Sequence, residues 1–321
     1  MKGNTQLVER IKSQKTPTDN QLNIVPKKKV SNWGKYKYGL LFASPWIIGL
    51  IVFYAIPLFS SIYFSFTTYS ILQPGEFIGL KNYAELMNDT LFWKSVYNTV
   101  YFAVYYVPLS IIFGVALAMM LNMKVKGMAV YRTIFFLPTL VPHVALAVLW
   151  MWLLNPGFGL VNGFLNTIGI DGPAWLGSET WSKPSLIMMS LWGIGQAVVI
   201  YLAGLGDISE DYYDAAEVDG ANWFQKTIHI TLPLLTPVIF FNLVMGIIGA
   251  FQQFTLPYTL TQGQGTPANS LTFYVMYLYD NGFKFFKMGY ASAIAWILFV
   301  IIMALTAIVF LTSKRWVHYQ E

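Results

Sequence analysis

Six stretches contain no Asp, Glu, Lys or Arg, near 38–67, 97–121, 133–155, 185–206, 232–257 and 288–311, and they constrain this chain more than any other feature. About 20 helical residues cross a bilayer core, and every stretch is long enough. A single charge at a helix centre costs roughly 2.5–3.5 kcal/mol on insertion scales, so six charge-free runs predict an all-α membrane protein of six transmembrane helices. Composition agrees: 56% of residues are hydrophobic and 11% charged, where a soluble domain carries about a quarter charged. The first stretch is too long for a signal peptide, follows a polar leader and lacks a cleavage site, so it reads as a retained span.

Orientation follows from Lys and Arg. Fifteen of the twenty lie in the leader 1–37, the loop 122–132, Lys226 and the segment after the last span. The other five, Lys81, Lys94, Lys183, Lys284 and Lys287, fall in the alternate loops. The positive-inside rule therefore places both termini in the cytoplasm. The expected domains are a basic, disordered leader at 1–37, a six-helix membrane domain at 38–315 and a short tail at 316–321. The leader reads as a topology anchor on anionic lipid. Net charge is +5, but the basic residues cluster beside apolar spans rather than forming a nucleic-acid face.

Cysteine is absent, which excludes disulfides and thiolate chemistry, and His143, His229 and His318 are far apart, which argues against a histidine metal centre. Pro45, Pro57, Pro108, Pro138, Pro142, Gly193, Gly195, Gly246 and Gly249 interrupt the apolar runs. Such breaks persist in membranes where neighbours or a cavity satisfy the freed backbone, so they favour a chain that lines a path. His143 reads as a helix-break hydrogen bond rather than a proton relay, because no intramembrane carboxylate accompanies it.

The segment 207–232 is the chemical outlier. Asp207, Glu210, Asp211, Asp214, Glu217 and Asp219 stand against Lys226 alone. Asp207 is expected to cap a helix with Glu210 reaching back to it. Ala215 and Ala216 form helix with little bulk, so another surface can approach closely. Gly220 should end that helix at positive φ, and Asn222 should cap a second one running into Pro233. The expected product is a helix–Gly–helix elbow. A plain solvated loop is the competing reading.

That register resembles the cytoplasmic loop of permease subunits in binding-protein-dependent ABC importers: Glu-Ala-Ala, three residues, Gly, nine residues, Ile-x-Leu-Pro. Asp214 stands where the pattern has Glu, and Ala215, Ala216, Gly220, Ile230, Leu232 and Pro233 match it. Further segments resemble the sugar-permease branch of maltose-type and glycerol-phosphate-type importers: Phe77 to Tyr83, Arg132, Phe136-Leu137-Pro138, Val144-Ala145, Trp150-x-Trp152, Gly159, Asn162, Pro184 and Met288 to Ala293. The resemblance spans roughly 38–315. It implies a type I importer permease fold, with Tyr213, Asp214, Ala215, Ala216, Glu217, Asp219, Gly220, Ile230, Leu232 and Pro233 forming the contact to a cytoplasmic ATPase. It also implies a second permease subunit, two ATPase subunits that use ATP and Mg, and an extracytoplasmic solute-binding protein. The chain lacks a phosphate-binding Gly-x-x-x-x-Gly-Lys-Ser/Thr loop, so no cofactor is expected on it and hydrolysis belongs to the partners.

A sugar path needs hydrogen-bonding groups and flat apolar faces. Within the spans the candidates are Gln196, Asn242, Gln252 and Gln253. Trp192, Gly193 and Gln196 fall at helical i, i+1 and i+4 spacing, which puts Trp192 and Gln196 on one face, and Gly246, Gly249 and Gln253 form a second narrow stripe with Ala250 beside it. Helix–helix packing is the competing reading for both. The rival function is an ion-coupled secondary transporter, which ordinarily needs the intramembrane charges absent here. A membrane-embedded enzyme would need paired carboxylates, metal ligands or a nucleophile–base set, none of which lies in a span.

Overall fold

The computed structural model describes residues 33–318, so the calls on the leader up to residue 32 and on the last three residues lie outside it. The chain divides into two compact units, Met1–Leu58 and Phe59–Glu321. In the first, helix α1 (Trp33–Leu50) exposes Phe42, Trp46 and other large apolar side chains. It continues through a π-turn at Ile51–Ala55 into α2 (Ile56–Ser65). The turn has a local cause. Pro57 has no N–H for the carbonyl of Phe53 and its ring crowds that carbonyl, and one wide turn relieves the clash.

Among the described residues, the regular structure of the second unit is helical apart from isolated bridges at Thr67–Phe77 and Ser70–Gln73. After the part of α2 from Phe59 on, it continues with α3 (Lys81–Asn88), the 32-residue α4 (Thr90–Leu121), α5 (Met128–Phe136), α6 (His143–Leu153) and α7 (Leu160–Thr167). Then follow α8 (Glu179–Trp192), α9 (Gly195–Gly206), α10 (Glu210–Val218), α11 (Trp223–Lys226), α12 (Leu232–Phe251), α13 (Thr255–Thr261), α14 (Tyr274–Tyr279) and α15 (Met288–Ser313). Helix α4 is the axis on which α8, α9, α12 and α14 pack. One core gathers Phe92, Phe102, Val107, Leu186, Met189, Phe251, Phe273 and Ile294. A second gathers Val115, Ala118, Tyr201, Leu205 and Leu235. Helices approach closely at Gly114, where a Cβ would lie 2.8 Å from the buried Tyr201 ring.

The end of α4 is pinned by Asp89. Its carboxylate accepts from the N–H groups of Leu91 and Phe92 and from the hydroxyls of Tyr277 and Tyr290. In the Phe77–Tyr83 motif, buried Asn82 donates to the carbonyls of Ser65 and Thr67, and Tyr83 donates to Ser65. That motif is thus a tie onto the end of α2, with Gly79 supplying a left-handed turn at φ 60°.

Four helices, Tyr36–Ser65, Thr90–Leu121, Trp223–Thr261 and Met288–Ser313, are long and apolar enough to cross a membrane. The expected spans at 133–155 and 185–206 are each a bent pair: Met128–Leu140 with His143–Leu153 at 98°, and Glu179–Trp192 with Gly195–Gly206 at 48°. Val141 is extended (ψ 124°) because a residue before proline is pushed out of the α region, and Pro142 then starts a new direction. At the second bend the helix stops at Gly193 and restarts at Gly195, where a Cβ would lie 2.6 Å from the Phe135 carbonyl.

Candidate functional site: a polar elbow and a membrane cavity

The acidic segment folds as two short helices joined at Gly220. Helix α10 is capped by Ser209, whose backbone is extended (ψ 138°) and whose hydroxyl accepts the Asp211 N–H. The sequence expectation of an Asp207 cap is corrected here. Ile208 is buried in the second core, which keeps Asp207 in the last turn of α9, where its own N–H bonds to Ala203. Glu210 does not reach back either; it pairs with Lys124 at 2.7 Å, and that contact holds its carboxyl below the ordinary range.

Gly220 ends α10 at φ 78°. Its N–H bonds to Glu217 O and the Ala221 N–H reaches Ala216 O, a Schellman closure. Asn222 and Gln225 then form a reciprocal capping box that opens α11. A second π-turn, Thr227–Thr231, leads into α12, again two residues before a proline, Pro233. Two ties hold the arms together. Tyr213 and Thr231 share a hydrogen bond of 3.0 Å, and Lys226 pairs with Glu217 at 2.8 Å and draws the Glu217 carboxyl below its usual value.

The ten residues expected at this contact therefore divide. Ala216, Asp219, Gly220 and Ile230 line a cleft of about 420 Å³ with Lys226 and His229. Asp214 and Ala215 are exposed on α10, and Tyr213 and Glu217 make the ties. Leu232 packs on the second core and Pro233 occupies the first turn of α12. Sequence reasoning missed Tyr212, Val218, Trp223 and Phe224, which leave a polar loop with exposed apolar side chains. Two aromatic residues side by side just after a helix-ending glycine were the available signal.

The second location is a cavity of about 300 Å³ between α4, α8, α9 and α12 and the α5–α6 bend. It brings together Gly193, Gln196, Gly246, Gly249, Ala250 and Gln253. Trp192 is not with them. Because the helix ends there, it does not share a face with Gln196; its ring meets Trp150 edge-on at 6.2 Å and lines a separate apolar groove of about 950 Å³. Asn242 donates to the Val238 carbonyl within its own helix, and Gln252 caps α12 outside the cavity. Tyr106, Thr139, His143 and Ser190 line it, although sequence reasoning did not place them in a substrate site. The bend at Pro142 carries His143 there, and no helix-break hydrogen bond to its ring is found among the described residues. No cluster of three or more His, Asp or Glu able to hold a metal occurs among the described residues.

Comparison with known proteins agrees with this architecture. Residues 110–318 match the family described as "Binding-protein-dependent transport system inner membrane component". The chain is 42% identical to the probable ABC transporter permease protein YesP of Bacillus subtilis, over 88% of this chain and 92% of that one. It is 33% identical to the lactose transport system permease protein LacF of Rhizobium radiobacter, over 86% and 94%. Among solved structures, a chain of a bacterial alginate ABC transporter, crystallised with its alginate pentasaccharide-bound periplasmic protein, superposes with a TM-score of 0.76 at 25% identity. That match covers 88% of this chain and 95% of the other. A helical membrane chain with a glycine-hinged polar elbow, aligned along most of its length with sugar permeases, belongs to the binding-protein-dependent ABC transport permeases, in their sugar branch.

Proposed function

We propose that this chain is the membrane-spanning subunit of an importer that carries an oligosaccharide into the cell by alternating access, driven by ATP hydrolysis in partner subunits. The observation that carries the reading is the elbow. Its tip presents small and apolar side chains around Ala215, Val218, Trp223 and Phe224, while its base is tied to α12 through Thr231 and the π-turn. A cleft in an ATPase subunit that grips the tip would push directly on α12, which lines the cavity. In this reading each bent pair is one span, giving six, with both termini and the elbow in the cytoplasm as the Lys and Arg distribution favours.

The rest of the assembly follows from the family. A second permease subunit completes the path, two ATPase subunits bind ATP and Mg, and an extracytoplasmic binding protein delivers the sugar. The solved alginate neighbour is held in a complex with a saccharide-bound periplasmic protein, which supports that last partner. The lactose relative and the alginate neighbour support carbohydrate as the cargo. The test is ATPase activity that copurifies with the chain, for wild type and Gly220→Pro. Activity present in wild type and lost or uncoupled from uptake in the variant supports the reading. An intact preparation with no associated ATPase overturns it.

A further inference from the structure

The cavity that brings Gln196 and Gln253 together has a defined hydrogen-bonding character. Among its lining residues there is no Asp, Glu, Lys or Arg. Thr139 and Ser190 spend their hydroxyl protons on the carbonyls of Phe136 and Leu186, at 2.7 and 2.8 Å, so they offer the cavity only lone pairs. Four other lining side chains, Tyr106, His143, Gln196 and Gln253, have no hydrogen-bond partner among the described residues. Each of these, with neutral His143, can both donate and accept. His143 and Gln196 are exposed and Tyr106 and Gln253 half-buried, so these four unpaired bifunctional groups around one hollow are open to a ligand or to water.

A sugar hydroxyl is itself both donor and acceptor. A carboxylate only accepts, would meet the lone pairs of Thr139 and Ser190, and would find no cation among this chain's lining residues to offset its desolvation. Tyr106 adds a flat surface, since its ring stacks on Phe102 at 4.9 Å and 12° and both rings line the cavity. The volume is at the small end of ligand pockets, enough for a short piece of a saccharide. Building on the carbohydrate reading above, we propose that Tyr106 and His143 contact the transported saccharide directly and that this cavity takes an uncharged, hydroxyl-bearing sugar ring. Tyr106 supplies the stacking face and one hydroxyl, and His143, swung in by the Pro142 bend, reads a ring hydroxyl together with the two glutamines.

The test uses the complete importer with its partner subunits in proteoliposomes, offered maltose, lactose, arabinobiose and digalacturonate, and then deoxy analogues of whichever neutral sugar is taken up. Wild type should take up a neutral member and lose about tenfold or more for the analogue lacking the hydroxyl that is read. His143→Phe should lower uptake of the parent sugar by about tenfold and erase the distinction between parent and analogue. His143→Gln, which keeps a donor and an acceptor, should retain it. Tyr106→Phe should weaken uptake less than Tyr106→Leu, and it serves as a second probe if His143→Phe fails to assemble. The proposal is overturned if digalacturonate is the sole substrate, or if the variants leave the parent-to-analogue ratio at its wild-type value. In the latter case the carbohydrate reading still stands. An assembled importer that takes up none of the four sugars overturns both.

Discussion

Replacing Gly220 with alanine isolates what the elbow needs from its hinge. The residue holds φ at 78° and an added Cβ would meet nothing within 4 Å, so the substitution introduces backbone strain and no clash. An L-residue in that left-handed region costs roughly 1–2 kcal/mol. Helix α10 has no buried residue, so the loss stays local instead of reaching either core. At 25 °C it corresponds to a change of about 5- to 30-fold in the ratio of closed to frayed elbow. The readout is hydrogen exchange at the Ala221 amide, whose bond to Ala216 O exists only while the Schellman closure is made. That amide should exchange faster by this factor, while the amides of α4 keep wild-type protection. Coupling of ATPase activity to uptake should fall in the same variant, and Gly220→Asn, which tolerates positive φ, should recover much of it. Unchanged exchange at Ala221 would refute the strain argument. Loss of protection throughout α4 would refute the claim that the elbow is energetically separate.

Three further outcomes are expected. Asp89→Ala removes a cap worth about 1 kcal/mol and the shared acceptor of the Tyr277 and Tyr290 hydroxyls, which keep only each other, so the purified chain should melt at lower temperature. Burial alone would raise the Asp89 pKa, but hydrogen bonds from Tyr277, Phe92, Leu91 and Tyr290 outweigh it and bring it below the ordinary value. Its contribution is therefore complete above the unfolded pKa of about 3.9 and is lost as pH falls through the lower folded value; melting from pH 6 down to 3 should show a loss that Asp89→Asn lacks. Gly114→Leu drives a side chain into the Tyr201 ring and should cost about 1–3 kcal/mol of overpacking, read as a fall in melting temperature in detergent. Gly249→Leu enters open space in the cavity, so assembly should persist while saccharide uptake drops by about tenfold or more; retained uptake would show that the cavity is not on the path.

The elbow was legible because its chemistry is local. Gly220 ends α10 and Asn222 opens α11 as the residue types demand, and both motifs close within six residues. The capping of α10 was misread because Asp207 and Ser209 are both good caps, and the choice was made by the burial of Ile208 in a core assembled from α4 and α12. Trp192 was misassigned for a related reason. Helical spacing assumes a helix that continues, and this one stops at Gly193, where the α5–α6 bend presses on Gly195.

The sequence by itself determined that the chain is helical and membrane-bound, because apolar runs without charge have no other stable state in lipid. It also determined the elbow, through glycine, alanine and capping residues acting over one or two turns. Only the tertiary structure decided which polar side chains share a cavity. Gln196 lies on α9 and Gln253 in the break just after α12, more than fifty residues apart in sequence, and Tyr106 and His143 join them because α4 lies against α12 and Val141–Pro142 turns the chain by 98°. Periodicity reports which way a residue faces along one helix; the packing of several helices, with their proline and glycine breaks, sets what it faces.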